Sequence, residues 1–308
     1  MILVQNIQMY FYRAFGLNIH AQIELPELSP SDNLAPVDLM IEIGQVILPK
    51  TRKTRIYRRG IRADFGSDDQ QNIFLHWEGV ADYQAIDGHK LLIAPATEDK
   101  NLLSLFTVSE ALGLILFQRG LFLLHASAVK VGDRAWCFMG NPGAGKSTTA
   151  AAFLKSGHRL LSDDLTAITF DKDGQAFIVP AYPQLKIWDN TVSGLNYDPK
   201  TLEPVSEGVN KYSFQPRTHF SHEPVRLGHI IFLHKAKNKP AKEELGPAKV
   251  PIELLKNFPL PAGILKGNLL KNHFLQSFQC ARSARLWSKR RPKSFDDLES
   301  WAKSPDTF

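Results

Sequence analysis

The sequence has few cysteines, no recognisable secretory signal pattern and no long uninterrupted apolar segment. Its 308 residues include two cysteines, Cys137 and Cys280, whose spacing fits neither a metal site nor a disulfide framework. The first twenty residues lack the basic start and clean apolar stretch of a secretory signal. The longest apolar run, residues 102–117, contains polar residues including Glu110, so it predicts a buried helix and not a membrane span. These absences favour a reducing cytoplasm as the compartment.

The chain also lacks a large excess of charge of either sign. Its formal net charge is +6, from 37 Lys and Arg against 31 Asp and Glu. A nucleic-acid binder would more often show a dense basic stripe with interleaved aromatic residues. The one basic cluster considered for that role, residues 289–293 (KRRPK), is interpreted as a solvated tail. The balance suits a protein that handles polyphosphates or an acidic peptide, and we expect neither a nucleic-acid nor a membrane partner.

The pattern of apolar residues changes near residue 100. Residues 1–100 contain short alternating segments separated by polar turns, which predict a small mostly-β domain. Residues 101–308 open with the buried helix and continue with apolar strands, a hairpin that turns at Asp173-Gly174, and C-terminal helices that include the segment QCARSARLW. The predicted fold class is α/β with α+β character, and the predicted domains are 1–100 and 101–308.

A phosphate-binding signature stands in the middle of the second predicted domain. Residues 140–147 match G-x-x-x-x-G-K-[ST] at every fixed position, with an apolar strand before them and a helix after them. Glycines let backbone N–H groups surround a phosphate, and the helix N-terminus adds its positive dipole. We expect Lys146 to reach the β- and γ-phosphates and the Ser147 hydroxyl to ligate Mg²⁺. The predicted nucleotide-binding residues are Gly140, Asn141, Pro142, Gly143, Ala144, Gly145, Lys146, Ser147 and Thr148.

Two adjacent aspartates, Asp163 and Asp164, end the next predicted strand. Asp163 follows Lys146 by only 163 − 146 = 17 residues. Beside a phosphate loop, one carboxylate can hold Mg²⁺ while the other accepts a proton from an incoming hydroxyl. Crowding near a metal and phosphates would separate their pKa values. The residues alone leave open a plainer interpretation, in which both carboxylates are solvated or cap the following turn.

Residues 123–168, LLHASAVKVGDRAWCFMGNPGAGKSTTAAAFLKSGHRLLSDDLTAI, resemble the core of the HPr kinase/phosphorylase family. In that family a histidine opens the first strand, a Walker A loop follows, and an Asp-Asp pair ends the next strand. The resemblance implies a P-loop kinase core similar to that of phosphoenolpyruvate carboxykinase. It also implies that Asp163 accepts the proton, that Asp164 helps Ser147 to hold Mg²⁺, and that His125 lies close to Asp163 and tunes it.

Outside this core the resemblance is looser. PQLKIWDN and NKYSF resemble blocks of shorter HPr-kinase-like proteins in which a lysine, here Lys211, faces the phosphates. EPVRLGHIIFL aligns loosely with the family's signature strand and makes Arg226 a candidate for charge stabilisation. The alternative for either residue is a surface cation. Residues 12–28, YRAFGLNIHAQIELPEL, resemble the start of the HPr-kinase-like enzymes of lasso peptide biosynthesis, which phosphorylate a serine of a precursor peptide.

These patterns support three hypotheses. The first is a phosphotransferase that moves the γ-phosphoryl group of ATP, with Mg²⁺, to a serine hydroxyl of a peptide or small protein. The second is a nucleotide-binding switch whose N-terminal domain holds a peptide partner, and the third is a kinase of a small-molecule hydroxyl. The carboxylate pair favours an enzyme, because a switch has no need of a second carboxylate beside the metal. The sequence leaves open the acceptor, the use of GTP or pyrophosphate, and reverse phosphorylase activity, and the resemblance favours a homo-oligomer.

Overall fold

The computed structural model describes residues 8–32, 34–58, 60–205 and 210–305. The chain divides into two compact units, Met1–Gly120 and Leu121–Phe308. Each unit has its own sheet system, and the phosphate-binding signature lies in the second unit.

The first unit contains, among the described residues, one nine-stranded sheet. Several strands alternate between apolar and polar residues, and this period of two places one side of each strand in the core. In the most regular example, Ala81, Tyr83 and Ala85 are buried and the residues between them are partly exposed. The strands are β1 (Tyr10–Ala14), β2 (Leu17–Ala21), β3 (Ser29–Pro30), β4 (Leu39–Ile43), β5 (Arg52–Arg58), β6 (Ile61–Ser67), β7 (Ile73–Trp77), β8 (Ala81–Ile86) and β9 (Lys90–Pro95), in the order β3-β1-β2-β4-β9-β8-β7-β6-β5.

A continuous helical segment completes the first unit. It consists of α1 (Lys100–Phe106), a π-helical turn (Thr107–Ala111) and α2 (Leu112–Gln118). Asp99 caps α1 by accepting hydrogen bonds from two backbone N–H groups of the first turn. Within the described part of the chain this is the one helical stretch that is long and apolar enough to cross a membrane, judged by length and composition. Of its apolar 18-residue stretch, 78% is buried in the protein. That burial agrees with the predicted core helix.

The boundary between the units follows Gly120, whereas the sequence predicted it after residue 100. The helix therefore belongs to the first unit, where α2 contacts β8 and β9. The apolar faces of the helix predict that it is buried, but they do not predict which strands it packs against.

The second unit mixes strands and helices around a larger sheet. In chain order its elements are β10 (Phe122–Leu124), β11 (Ser127–Val131), β12 (Arg134–Met139), α3 (Lys146–Lys155), β13 (Arg159–Ser162), β14 (Thr166–Phe170), β15 (Ala176–Val179), β16 (Leu185–Trp188), α4 (Asp189–Gly194), β17 (Glu203–Pro204), β18 (Lys211–Phe214), β19 (Val225–His234), β20 (Lys242–Glu244), α5 (Val250–Lys256), α6 (Gly267–Ser283), β21 (Arg285–Arg290) and α7 (Phe295–Lys303). A mixed α/β architecture with several sheets results.

The larger sheet runs in the order β10-β14-β15-β19-β12-β11-β13, with β21 beside β19 and β20 beside β21. β19 is parallel to β12 and to β21. β11 is antiparallel to both β12 and β13, so β13 points the same way as β12. The carboxyl ends of β12, β13, β19 and β21 consequently meet at one edge of the sheet, which we call the carboxyl edge.

The centre of this sheet is covered on both faces. The β12 sequence AWCFM and the β19 sequence HIIFL are nearly continuous apolar runs, as expected for parallel strands buried on two sides. On one face Phe153 of α3 packs against Phe138 and against Trp301 of α7. On the other face Cys137 and Leu286 join a second apolar cluster. The glycine-rich segment thus joins a central strand of the sheet to α3, a helix that packs against the sheet and against α7.

The structure confirms the predicted hairpin, in which β14 and β15 pair in antiparallel register around Gly174. It also corrects two expectations. The apolar segment LFLLHASAVKVG (residues 121–132), whose pattern predicts one strand, forms two strands interrupted at His125 and Ala126, because β10 pairs with β14 whereas β11 pairs with β12 and β13.

The second correction concerns the C-terminal basic cluster. α6 ends at Ser283, and residues 285–290 form β21 beside β19, so the prediction that the helix continues through RLW was wrong. The cluster at 289–293 is not a solvated tail, since Lys289 and Arg290 belong to β21 and the ammonium group of Lys289 lies 4.8 Å from the ring centre of the buried Trp301. Residues 285–290 form a strand because they pair with β19. Pairing with a distant strand cannot be predicted from the local sequence.

Candidate active site

The segment Gly140–Ser147, which we call the glycine loop, joins the end of β12 to the start of α3. Gly140, Gly143 and Gly145 have φ values of 139°, 78° and 100°, which glycine adopts readily and other residues rarely do. A Cβ atom at Gly140 would lie 2.5 Å from the carbonyl oxygen of Leu233 at the end of β19. The loop therefore packs tightly against the carboxyl edge. The backbone N–H groups at the N-terminus of α3 are the groups suited to bind an anionic ligand there.

Lys146 begins α3 and is nearly buried. Its ammonium group donates a hydrogen bond to the carbonyl oxygen of Gly140 at 3.1 Å, so the side chain curls over the loop. Burial lowers the pKa of Lys146, whereas the charges of Asp164 and Asp163 act in the opposite direction. The lysine thus lies within electrostatic reach of both carboxylates.

Asp163 follows β13 at the carboxyl edge, with 5% of its surface exposed. Its Oδ1 accepts hydrogen bonds from the hydroxyls of Ser127 at 2.5 Å and Ser147 at 3.0 Å. Its Oδ2 accepts one from the backbone N–H of Lys186 at 3.1 Å. The carboxylate therefore links β11, the start of α3 and β16, and it is held in one orientation.

The environment of Asp163 favours its protonated form. Burial, followed by the charge of Asp164, raises the pKa of Asp163 from 3.8 to about 6. The hydrogen bonds from Ser127 and Lys186 and the charge of Lys211 oppose this rise. A carboxylate with a pKa near the working pH is suited to accept and return a proton.

Asp164 differs from its neighbour in backbone, exposure and partner. Its φ is +64°, a left-handed conformation that aspartate tolerates better than most residues. About 21% of its side chain is exposed, and its Oδ2 lies 3.6 Å from the ammonium group of Lys186. Lys186 is 4% exposed and lies on β16 between buried Leu185 and Ile187. The two aspartates therefore offer one buried and one more accessible carboxylate.

Lys211 stands at the start of β18, opposite Trp188 of β16. Its ammonium group lies 5.2 Å from the centre of the Trp188 ring. Its charge acts on both Asp163 and Lys146, so the structure brings it into electrostatic range of these two residues. Together with Lys146 and Lys186, it gives three cations against two carboxylates, a local excess that suits a polyphosphate.

Of the other two predicted residues, His125 lies between two strands of the sheet and Arg226 lies near the start of β19. His125 lies half-buried between β10 and β11, two residues before Ser127, and its backbone N–H donates to the carbonyl of Asn257 at 2.7 Å. Arg226 lies at the opposite end of β19, where it pairs with Phe177, while the end of β12 pairs with Phe232.

The position of Arg226 removes it from the site. The six residues from 226 to 232 correspond to about 20 Å along a strand. Arg226 is exposed and bonds the side chain of Gln175. The loose alignment identified the correct strand but not the end of it that meets the loop.

Sequence reasoning missed Ser127 and Lys186. Ser127 is fully buried at the start of β11, and only the antiparallel pairing of β11 with β12 and β13 carries it to Asp163. A signal for Lys186 did exist, because a lysine at the centre of the apolar strand LKIW must be buried with a partner.

The oxygen atoms at this edge fit Mg²⁺. The donors are the Ser147 hydroxyl and the carboxylates of Asp163 and Asp164, and hard oxygen ligands are those that Mg²⁺ prefers. The described residues contain no group of three or more His, Cys, Asp or Glu that could enclose a metal. The protein would therefore supply one to three ligands and leave the remaining positions to phosphate oxygens and water, as is usual for Mg²⁺ bound with a nucleotide.

Comparison with known proteins gives one limited sequence match. No family model matches the chain. Over 100 residues it is 35% identical to HPr kinase/phosphorylase of Clostridium beijerinckii, a match that covers 32% of this chain and 32% of the relative. The match thus spans about a third of that relative's length. The chain is also similar to the Hpr(Ser) kinase/phosphatase from Coxiella burnetii, with 17% identity and a TM-score of 0.29, over 50% of this chain and 97% of that chain. A TM-score of this size does not establish a common fold.

Proposed function

We propose that the protein is a phosphotransferase that uses ATP and Mg²⁺ to phosphorylate a serine hydroxyl of a peptide or small protein. The observation that carries the proposal is the convergence of the glycine loop, Ser147, Asp163 and Asp164 at one edge, with Lys146, Lys186 and Lys211 around them. The local match to HPr kinase/phosphorylase supports the same reaction class.

In this proposal the glycine loop and Lys146 hold the β- and γ-phosphates. Ser147 and Asp164 would hold Mg²⁺, which supplies charge neutralisation when it is bound. Asp163 accepts the proton of the acceptor hydroxyl while the new O–P bond forms and the bond to the β-phosphate oxygen breaks. Positioning and charge neutralisation provide most of the rate enhancement in this chemistry.

The three hydrogen bonds to Asp163 constrain how it can serve as the base. A carboxylate has about four acceptor positions, and Ser127, Ser147 and Lys186 occupy three of them. The position left for the acceptor proton is on Oδ2, which accepts one hydrogen bond. His125 stays a proposed tuning residue, close in sequence to Ser127.

The resemblance of residues 12–28 to lasso-peptide enzymes supports a precursor peptide as the acceptor and a cytoplasmic site of action. The test is a mass-spectrometric transfer assay with the protein, Mg²⁺·ATP and serine-containing precursor peptides encoded near its gene. The proposal expects a gain of one phosphate on a serine, absent with Asp163→Asn. Tight nucleotide binding without transfer to any peptide would instead favour the switch. ADP release stimulated by a small hydroxyl compound, but not by peptides, would favour a small-molecule kinase.

A further inference from the structure

A second cationic feature lies beside the glycine loop and has no role in the chemistry above. A cavity of about 330 Å³ is lined by Lys235, Lys237, Arg290, Arg291, Pro292 and Lys293. These residues end or follow β19 and β21, whose carboxyl ends meet the end of β12 at the carboxyl edge. The lining therefore contains five cations and, among the described residues, no carboxylate. Such a concentration of one charge attracts anions.

The cations of this cavity do not all have the same task. The guanidinium of Arg290 donates to the carbonyl oxygens of Ala236, Lys237 and Lys239, so it fixes the segment after β19. Its hydrogen-bonding capacity is directed at the protein's own backbone. Arg290 is thus a framework residue, and it leaves the neighbouring arginine to face a ligand.

Arg291 reaches the glycine loop itself. Its backbone N–H donates to the carbonyl of His234 at 3.0 Å, which extends the pairing of β21 with β19 by one residue. A Cβ atom at Gly145 would lie 2.5 Å from Cδ and 2.6 Å from Nη1 of Arg291. The guanidinium consequently lies on the glycine that immediately precedes Lys146.

The charge of Arg291 is not balanced by the protein. Within the described part of the chain no carboxylate forms an ion pair with it, and its side chain makes one hydrogen bond, from Nε to the Pro292 carbonyl at 3.2 Å. Burial alone accounts for the lowering of the pKa of Arg291 from its ordinary value. A half-buried guanidinium without a counter-charge is suited to an anionic ligand, and its fork of N–H groups matches phosphate oxygens.

We propose, on the basis of the proposed function, that this cavity is an anion subsite continuous with the glycine loop, in which Arg291 contacts the phosphate chain of the donor nucleotide. Lys235, Lys237 and Lys293 contribute longer-range attraction at the cavity mouth. Arg291 is then a donor-binding residue that the Walker A signature does not contain.

The test measures binding and does not depend on transfer. Isothermal titration with Mg²⁺·ADP and with inorganic tripolyphosphate compares the wild type, Arg291→Gln and the matched control Arg226→Gln. The control removes the same charge from the opposite end of the same sheet. Charge-assisted hydrogen bonds are strong, so we expect Arg291→Gln to weaken both ligands by roughly tenfold to a hundredfold, and Arg226→Gln to bind as the wild type does.

Further variants separate the effect of the charge of Arg291 from the effect of its hydrogen-bonding geometry and from that of the neighbouring lysines. Arg291→Lys retains the charge but not the fork, so we expect an intermediate affinity, and this variant serves if Arg291→Gln does not fold. The double variant Lys235→Gln/Lys237→Gln should weaken binding mainly at low ionic strength, because exposed charges are screened by salt. Equal affinities for Arg291→Gln and Arg226→Gln would overturn the subsite. Failure of the wild type to phosphorylate any acceptor, with the Arg291 effect intact, would overturn the kinase proposal alone.

Discussion

The hydroxyl of Ser147 donates a hydrogen bond to Oδ1 of Asp163 at 3.0 Å. Ser147 is the second residue of α3, and Asp163 follows β13, the strand that comes next in the chain. Their contact brings a proposed metal ligand and a proposed proton acceptor within one hydrogen bond of each other.

Asp163→Asn is expected to lower the rate of phosphoryl transfer by about 10²- to 10⁴-fold, which is the range for loss of a general base. The affinity for Mg²⁺·ADP should change by less than tenfold, since asparagine keeps the shape of the side chain. Single-turnover transfer and nucleotide titration measure the two effects separately. In Asp164→Asn the loss should instead appear in the Mg²⁺ concentration needed for half-maximal nucleotide binding. Full transfer by Asp163→Asn would refute its role as the base.

The raised pKa of Asp163 predicts a pH-dependent stability. The folded protein binds this proton more tightly than the unfolded chain, because the pKa rises from 3.8 to about 6 on folding. The contribution of this group to the free energy of unfolding therefore falls as pH rises from about 4 to about 6, by on the order of 3 kcal/mol. Urea unfolding of the ligand-free protein and of Asp163→Asn across this range isolates the effect as a difference. A difference that stays constant with pH would contradict the raised pKa.

The same pKa predicts a kinetic profile. Only the ionised Asp163 can accept a proton, so kcat/KM should rise with pH up to about 6 and then level off. The profile of kcat/KM for Mg²⁺·ATP against pH, measured with free Mg²⁺ kept low, reports the enzyme without bound nucleotide or metal, to which this pKa applies. An Asp164→Asn variant provides the control, because removal of the neighbouring charge should move the inflection to lower pH.

Lys186→Met tests a residue that sequence reasoning did not find. The side chain is buried beside Asp164, and methionine preserves much of its volume while it removes the charge. We expect transfer to fall by at least tenfold, because a nearby cation no longer offsets the carboxylates and the phosphates. The exposed Lys200 gives a matched control, since Lys200→Met removes the same charge from a surface turn. Equal activity of the two variants would exclude Lys186 from the site.

Gly145→Ala should disable the glycine loop without unfolding the protein. A φ of 100° is strained for alanine, and its methyl group would collide with the side chain of Arg291. We expect nucleotide affinity to fall at least tenfold, with the unfolding temperature lowered by only about 2–8 °C. Gly246→Ala is the control, because a Cβ atom at 246 meets nothing within 4 Å. Unchanged affinity in Gly145→Ala would show that this glycine is not needed for binding.

Phe153→Ala tests the packing of α3, the helix that begins at the glycine loop. The ring is fully buried among Trp136, Phe138 and Trp301. Its removal should destabilise the protein by about 3–5 kcal/mol, through lost burial and the cavity that remains. Phe153→Leu fills most of that space and should cost about half as much. Chemical unfolding of both variants measures the difference, and equal losses would argue against a packed ring at this position.

Much of the site could be predicted because its chemistry is local in the sequence. The glycine loop, Lys146 and Ser147 occupy consecutive positions, and Asp163 follows after one helix and one short strand. Each of these predictions depends on a motif or on the periodicity of a single element. The structure brings these residues together in the second unit.

What could not be predicted depends on pairing between distant strands. Ser127 reaches Asp163 only through the position of β11 between β12 and β13. Arg291 reaches Gly145 only because β21 joins the sheet beside β19. For Arg226 the sequence indicated a strand but did not indicate which end of that strand lies at the glycine loop.

The late position of β21 in the chain has a consequence for biosynthesis. A ribosome delivers β12, the glycine loop and β19 well before residues 285–290, which pair with β19 from His229 to His234. Until then the nascent chain presents the apolar segment around Ile231 as an open strand edge, a surface prone to mispairing. The anion cavity also does not exist during this interval, because its arginine has not yet been translated. Emergence of the final strand would thus both protect the nascent chain from aggregation and complete the proposed donor site.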